Sequence, residues 1–292
     1  MMTESIGRVR AFSSLVKLSH TVFALPFAAA AVVLATARPH VPLTAARALA
    51  MLVAMVAART AAMAYNRYLD RDIDGRNPRT KDREVPSGIV SPTAALGLTL
   101  ASSLVFVAAA ATLGTWPRLL ALPVLAVLLG YSWTKRFTWA SHLVLGLSLA
   151  LAPGGAWIAM GARPEPAIVA LMLAVVTWVG GFDVLYSLQD ERFDRDHGLY
   201  SIPARFGTGA AVVISAALHV VTVTALALSG IWLDRGAAFF AGVALVAALL
   251  VYEHALVGRG NLEKIDRAFF DINGYVSCAF FALTALDAWL LG

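Results

Sequence analysis

The fold is decided by the stretch Tyr65–Gly88, which has the sequence YNRYLDRDIDGRNPRTKDREVPSG. It directly follows an apolar segment long enough to cross a membrane, yet it contains four Asp, one Glu, five Arg and one Lys. Asn66, Asp70 and Asp74 are spaced four residues apart, so a helix that continued through them would place all three on one face, about 6 Å apart per turn. Stacked carboxylates are typical of a divalent-cation site, and flanking basic residues suit a phosphate group. The alternative is a charged cytoplasmic loop that follows membrane topology rules.

The composition places the chain in a membrane. Of the 292 residues, 59% are hydrophobic and 14% are charged, which is too apolar for a soluble domain of this length. Nine apolar runs are each long enough for a tilted helix across about 30 Å of hydrocarbon. We therefore predict an all-α, multi-pass membrane protein of about nine transmembrane helices, forming one transmembrane domain over residues 1–292. The runs lie near residues 15–36, 43–65, 91–113, 117–134, 140–161, 166–189, 208–233, 236–256 and 268–290.

The orientation in the membrane follows from the distribution of Lys and Arg. Counted over alternate loops, 17 of these residues lie on the side of the amino terminus and five lie on the other side. The asymmetry places the amino terminus and the long polar loops in the cytoplasm, and we expect a site that faces the cytoplasm from a bacterial-type cytoplasmic (inner) membrane. The full-length first run predicts that no signal peptide is cleaved. Because this bias accounts for the net charge of +5, we expect no nucleic-acid partner.

A second acidic cluster ends the sixth apolar run, in the sequence GFDVLYSLQDERFDRDHG at residues 181–198. Asp190 and Asp194 are again one helical turn apart. Asp183 lies seven residues before Asp190, near the same helical face and inside the apolar run. An acid at that depth in a membrane segment is a candidate for function by default.

The two acidic clusters match each other in position. Each lies at the cytoplasmic end of an even-numbered run, and Asp70 and Asp190 are 120 residues apart. This correspondence predicts an internal duplication, with halves at about 15–135 and 136–256 followed by a last helix at 268–290. It also predicts one divalent-metal site to which both clusters contribute.

Basic side chains are the candidates for binding anions. Arg59 lies within the second run, where a cation is costly and needs a partner. It either pairs with a carboxylate of the first cluster or receives an anionic group of a substrate. Lys81 and Arg83 lie in a loop punctuated by Pro, which suits folding over a bound anion. Lys135 and Arg136, in the second cytoplasmic loop, either satisfy the topology rule alone or contact a phosphate or carboxylate.

The spacings Asn66-x-x-x-Asp70-x-x-x-Asp74 and Asp190-x-x-x-Asp194, each ending an even-numbered run, closely resemble the paired Asp motifs of the UbiA-type intramembrane aromatic prenyltransferases. The resemblance covers the whole chain. Three further sequence motifs are similar to those of the 4-hydroxybenzoate polyprenyltransferase branch, including its relatives in the futalosine route to menaquinone. They are K-L-S-H-T-x-F-A-L-P-F near the start, Y-S-W-T-K-R-F-T before the fifth run, and D-x-x-Y-S-L-Q-D-E-x-F-D.

The resemblance implies a horseshoe of helices around a central cavity, capped by cytoplasmic loops and open laterally to lipid. The implied reaction is the Mg²⁺-dependent transfer of a prenyl group from a polyprenyl diphosphate to a ring carbon of a hydroxybenzoate-like acceptor, in ubiquinone or menaquinone biosynthesis. The implied Mg²⁺ ligands are Asn66, Asp70, Asp74, Asp190 and Asp194.

The other residues receive roles within this reaction. We expect Lys81, Arg83 and Lys135 to contact the diphosphate, and Arg59 or Arg136 to hold the acceptor's carboxylate. Asp183, with Tyr186 near it, is expected to bind the acceptor's hydroxyl or accept a proton. The expected catalytic carboxylates are Asp70, Asp74, Asp183, Asp190 and Asp194.

Other functions fit the same residues. The acceptor is alternatively homogentisate, a naphthoate, haem or a glycerol phosphate. A transporter is a different class, with Arg59 and Asp183 forming an ion or substrate path. Transport predicts polar groups through the full membrane depth, whereas here the carboxylates gather at one face. We expect contact with membrane lipid and no obligate protein partner.

Overall fold

A computed structural model describes residue 15, residues 21–257 and residues 271–291. Within these ranges the chain forms helices and turns and contains no strand, so the all-α prediction is confirmed. Numbered in chain order, the helices are α1 (Thr21–Ala35), α2 (Ala45–Leu69), α3 (Arg71–Arg76), α4 (Pro92–Thr112), α5 (Thr115–Thr134), α6 (Ser141–Ala159), α7 (Pro166–Tyr186), α8 (Glu191–Asp196), α9 (Ile202–Trp232), α10 (Ala237–Val257) and α11 (Asn273–Leu291).

The membrane-spanning prediction is confirmed for the part of the chain that the structure describes. Eight helical segments, built from α2, α4 to α7 and α9 to α11, are long and apolar enough to cross a membrane. The first predicted run contributes a shorter apolar helix, Phe23–Ala35. Residues 16–20 and 258–270, which include the start of the amino-terminal motif and the start of the predicted last run, lie outside the described residues.

Several helices begin where the sequence offers a hydroxyl cap. Thr44 accepts a hydrogen bond from the backbone N–H of Arg47 at 3.2 Å, which starts α2. Ser91 accepts one from Ala94 at 3.1 Å and starts α4. These side chains satisfy N–H groups that have no partner within the helix, so polar residues fix the helix starts inside an apolar sequence.

The described residues divide into two compact units. The first unit contains α2 to α5 up to Trp133. Its core is built mainly from small side chains on α2 and from side chains of α4 and α5, which lets the helices approach closely. The buried members of this cluster are Ala54, Ala57, Phe106, Ala110, Ala121 and Leu125.

The second unit contains α1 from Val22 onwards and α6 to α11. Its central helix is α7, which is buried along most of its length and packs against α6 and α9. An aromatic cluster surrounds Trp178 of α7, with ring centroids 5.0 Å from Phe27 and 5.2 Å from Phe182. This rigid packing positions the carboxyl end of α7, where the second acidic cluster lies.

Candidate active site

The first acidic cluster lies at a break between two helices. The helix does not continue unbroken from Asn66 to Asp74, because α2 ends at Leu69 and Asp70 adopts φ −90° and ψ 1° before α3 begins. The spacing nevertheless persists, since the N–H of Asp70 donates to the carbonyl of Asn66 at 2.9 Å and the N–H of Asp74 donates to that of Asp70 at 2.7 Å. The expected one-turn separation is therefore kept without a continuous helix.

The side chains of the first cluster are buried and ordered by hydrogen bonds. Asp70 is 1% exposed and Asp74 is 4% exposed. The side-chain amide of Asn66 donates from Nδ2 to Asp70 Oδ2 at 2.9 Å and to Ser132 Oγ at 3.2 Å. Because both contacts use the nitrogen, the carbonyl oxygen of Asn66 is the atom that this residue offers to a cation.

The loop that follows α3 folds back onto the same cluster. Arg83 donates from Nη1 to both carboxylate oxygens of Asp74, at 2.8 Å each. Thr80 donates from Oγ1 to the backbone carbonyl of Asp74 at 3.1 Å. Lys81, on the same loop, is exposed. The structure therefore brings one of the two predicted diphosphate-binding residues of this loop to a predicted metal ligand, and leaves the other at the surface.

Arg67 is a buried cation of the first cluster that no pattern in the sequence distinguishes. Its side chain is 3% exposed, and its Nε lies 3.7 Å from Oε2 of Glu84. The charges of Asp74 and Arg83 also act on it. An Arg directly after Asn66 counts as a topology signal in the sequence. The available hint was its position inside the last turn of a membrane span, where a cation needs acidic partners.

Arg59 lies deeper on α2, three helical turns before Asp70. Its side chain is half-buried, and the hydroxyl of Tyr131 on α5 is close enough to interact with it electrostatically. The structure thus places Arg59 on the same helix as the first cluster and within electrostatic range of Tyr131 on α5.

The second acidic cluster also lies at a break between helices. Helix α7 ends at Tyr186, a turn of 3₁₀-helix covers Ser187–Asp190, and α8 follows. Asp190 stands between the helical segments with φ −104° and ψ 0°, close to the values of Asp70. Asp190 and Asp194 are both half-buried.

Lys135 belongs to the surroundings of the second cluster. Its backbone carbonyl accepts a hydrogen bond from the N–H of Tyr200 at 2.7 Å. Its charge acts on Asp194, which also hydrogen-bonds with Ser201. Arg136, the next residue, is half-buried. The sequence predicts that Lys135 contacts the diphosphate. The structure places it near the second pair of predicted metal ligands.

Asp183 has a partner on another helix that its sequence position does not indicate. His142, on α6, approaches Oδ2 of Asp183 with its Nδ1 at 2.7 Å. The other ring nitrogen of His142, Nε2, accepts a hydrogen bond from the backbone N–H of Ile202 at 3.2 Å. Tyr186, also predicted to bind the acceptor, is half-buried one turn after Asp183 on α7.

The donor atoms of both clusters fit a hard divalent cation. They are carboxylate and amide oxygens, which Mg²⁺ prefers, and Asn66 turns its nitrogen toward Asp70 rather than outward. Within either unit, the described residues contain no group of three or more His, Cys, Asp and Glu side chains arranged to hold a metal ion.

Known proteins resemble this chain in sequence over most of its length. Residues 24–282 match the profile of the UbiA prenyltransferase family. A 4-hydroxybenzoate octaprenyltransferase of Aromatoleum aromaticum is 32% identical over 232 residues, which covers 78% of this chain and 77% of that protein. A protein of the same name from Vibrio cholerae is 29% identical over 231 residues, covering 79% of this chain and 81% of that protein.

Solved structures extend the similarity to the fold. The apo structure of a UbiA homologue from Aeropyrum pernix K1 superposes with a TM-score of 0.83 at 35% identity, covering 92% of this chain and 98% of that chain. A UbiA homologue from Archaeoglobus fulgidus bound to GPP and Mg²⁺ has a TM-score of 0.71 at 19% identity, covering 96% of this chain and 99% of that chain.

Proposed function

The chain belongs to the UbiA prenyltransferase family, and from this we propose that it transfers a prenyl group from a polyprenyl diphosphate to a ring carbon of a hydroxybenzoate-like acceptor in quinone biosynthesis. The family predicted from the two Asp motifs is confirmed. The protein is a prenyltransferase and a multi-pass integral membrane protein. The acceptor, the metal and the roles of individual residues make up the proposal.

The observation that carries the proposal is the pair of acidic helix junctions, at Asp70 and at Asp190, in a chain that matches the family over residues 24–282. A prenyl diphosphate has a highly charged head and an apolar tail. Oxygen ligands at the ends of apolar helices suit both parts of such a molecule. A relative of the same fold is bound to GPP and Mg²⁺, which supports this choice of donor and metal.

The Mg²⁺ ligands in this proposal are Asn66, Asp70, Asp74, Asp190 and Asp194. Mg²⁺ held there would neutralise the diphosphate and stabilise it as a leaving group. Arg83 and Lys81 then bind phosphate oxygens from the loop after α3, and Lys135 does so beside the second cluster. Arg83 leaves Asp74 and binds a phosphate oxygen when the donor binds. Until then, the ion pair neutralises the charge of Asp74.

The transfer itself is an electrophilic substitution on an electron-rich ring. The allylic C–O bond of the donor breaks, and both of its electrons leave with the diphosphate. The ring carbon ortho to the acceptor's hydroxyl forms the new C–C bond, and the proton displaced from that carbon is released. Asp183 accepts a hydrogen bond from the hydroxyl and thereby raises the electron density of the ring. The apolar helices exclude water, which would otherwise capture the carbocation-like prenyl group.

In this proposal Arg59 binds the acceptor's carboxylate, and Arg136 is the alternative residue for this role. The two assignments are separated by comparing 4-hydroxybenzoate with 4-hydroxybenzamide, which has the same shape but no charge. Replacing the Arg that binds the carboxylate with Gln raises KM for 4-hydroxybenzoate by about 10-fold or more and leaves KM for the amide nearly unchanged. Arg118→Gln, at an exposed Arg at the start of α5, is the matched control.

An acceptor panel tests the proposed function. The purified full-length protein is incubated with Mg²⁺, geranyl diphosphate and a set of hydroxybenzoates, naphthoates and homogentisate, and C-prenylated products are identified by mass spectrometry. We expect the hydroxybenzoates to give product prenylated ortho to the hydroxyl. If only homogentisate or a naphthoate gives product, that compound replaces hydroxybenzoate as the proposed acceptor. No product from any phenol, together with solute uptake into proteoliposomes, would favour the transporter class instead.

A further inference from the structure

We propose that His142 is a positioning residue that orients Asp183 toward the hydroxyl of the aromatic acceptor. The inference rests on the proposed function, because it assigns the partner of a carboxylate that the proposal places at the acceptor. Asp183 and His142 come from different helices, α7 and α6, and are 41 residues apart. Their contact at 2.7 Å is short for a nitrogen-to-oxygen hydrogen bond, as expected when the acceptor is a carboxylate.

The hydrogen bonds of His142 determine where its proton lies. The backbone N–H of Ile202 is a donor, so Nε2 of His142 must accept with its lone pair. The ring proton is then on Nδ1, and Nδ1–H donates to Oδ2 of Asp183. Because Nε2 is occupied, His142 is not available as a base for the acceptor. Its function is to hold the carboxylate.

The carboxylate of Asp183 keeps one oxygen for a ligand. Its side chain is 23% exposed, whereas that of His142 is 4% exposed, so the pair is open on the side of Asp183. In the part of the chain that the structure describes, Asp183 forms its side-chain hydrogen bond with His142. This contact uses Oδ2. A phenol hydroxyl is a donor of suitable size and polarity for Oδ1.

Glycines on the facing helices keep the two residues together. Gly146 lies one turn after His142 on α6, and a Cβ there would collide with the backbone carbonyl of Val176 on α7. Gly180 lies three residues before Asp183, and a Cβ there would come within 2.9 Å of the Leu143 side chain. The backbones of α6 and α7 therefore approach each other closely on this face. This close packing gives Asp183 a fixed orientation before any substrate binds.

Two substitutions of His142 separate orientation from simple packing. In His142→Asn, the side-chain Nδ2 takes the place of Nδ1 and still donates to Asp183, whereas the contact with Ile202 is lost. In His142→Gln, the longer side chain reaches Ile202 and no longer places a donor at Asp183. Thr222→Val is the control, because it removes a buried 2.8 Å hydrogen bond between α7 and α9 without touching Asp183.

The experiment measures steady-state kinetics of the full-length protein with geranyl diphosphate and the best phenol of the panel. We expect kcat/KM for the phenol to fall by about 10- to 100-fold in His142→Gln and by about 3-fold or less in His142→Asn. KM for geranyl diphosphate should stay within about 2-fold of wild type in both variants. Thr222→Val should lower the unfolding temperature and leave both kinetic constants near those of wild type.

Equal losses in His142→Asn and His142→Gln, with an active wild type, would overturn the role of His142 and leave the proposed function intact. A wild type that prenylates no phenol would reject the proposed function, and this inference with it. If His142→Asn does not fold, nitrogen NMR of labelled histidine in the wild type decides. The signal that disappears in His142→Gln should be that of a neutral ring protonated at Nδ1, and a ring protonated at Nε2 would contradict the proposal.

Discussion

Arg83 binds both carboxylate oxygens of Asp74 at 2.8 Å each, so a predicted diphosphate ligand and a predicted metal ligand are paired with each other. The Asp74 side chain is 5% exposed and that of Arg83 is 24% exposed. A buried carboxylate without a partner is costly, and the loop supplies that partner. Both residues change partners in the proposed complex with donor and metal, which makes the pair a direct test of the site.

We predict that Arg83→Ala raises KM for geranyl diphosphate by about 10- to 100-fold, because the diphosphate loses a charged hydrogen-bond donor. Arg83→Lys keeps the charge but not the planar fork, and should lie between Arg83→Ala and wild type. Arg76→Ala, at an exposed Arg at the end of α3, is the control and should leave KM unchanged. Equal changes in Arg76→Ala and Arg83→Ala would mean that general charge, and not a specific contact, attracts the donor.

Asp70→Asn and Asp190→Asn should each lower kcat/KM for prenyl transfer by about 100-fold or more, since each removes the charge of a proposed metal ligand and keeps its shape. The exposed neighbours Asp72 and Asp196 provide matched controls, with side chains 74% and 61% exposed. Their Asn variants should retain nearly full activity. Wild-type turnover in Asp70→Asn or Asp190→Asn would remove that residue from the metal site.

Gly146→Ala should destabilise the protein by about 1–3 kcal/mol, because the added methyl group meets the backbone of Val176, which cannot move aside cheaply. Gly155 lies on the same helix, and a Cβ there meets no atom within 4 Å. Gly155→Ala should therefore be neutral or stabilising by up to about 1 kcal/mol. Unfolding in detergent, followed by circular dichroism, measures both. An unchanged Gly146→Ala protein would show that α6 and α7 are not in such close contact.

Most of the fold could be predicted from the sequence because it depends on local properties. Apolar runs of membrane length predicted the spans. The third run is predicted to begin at residue 91, and α4 begins at Pro92, directly after the hydroxyl cap Ser91. The family followed from the spacing of the Asp residues. These signals are present in short segments and need no knowledge of tertiary contacts.

The partners of the site residues could not be predicted, because they depend on how distant segments pack. His142 meets Asp183 only because glycines let α6 and α7 approach, and a lone His at the start of a span carries no such information. Arg67 looks like a topology signal until its burial is known. The break at Asp70 was also not expected, since the residues around it are compatible with a continuous helix.

The internal duplication stays a prediction. Asp70 and Asp190 share nearly the same backbone angles at a junction between helical segments, as expected if both derive from one ancestral element. This likeness supports a common role for the two clusters in binding the donor.

The central claim is that both clusters act on one diphosphate through Mg²⁺. Its most direct test is a double-mutant cycle on Mg²⁺-dependent binding of geranyl S-thiolodiphosphate, an unreactive donor analogue, measured by calorimetry on wild type, Asp70→Asn, Asp190→Asn and the double variant. We predict that each single variant loses most of the binding free energy and that the double variant loses little more, because either change disables the same site. Losses that simply add, or normal binding by either single variant, would contradict the claim.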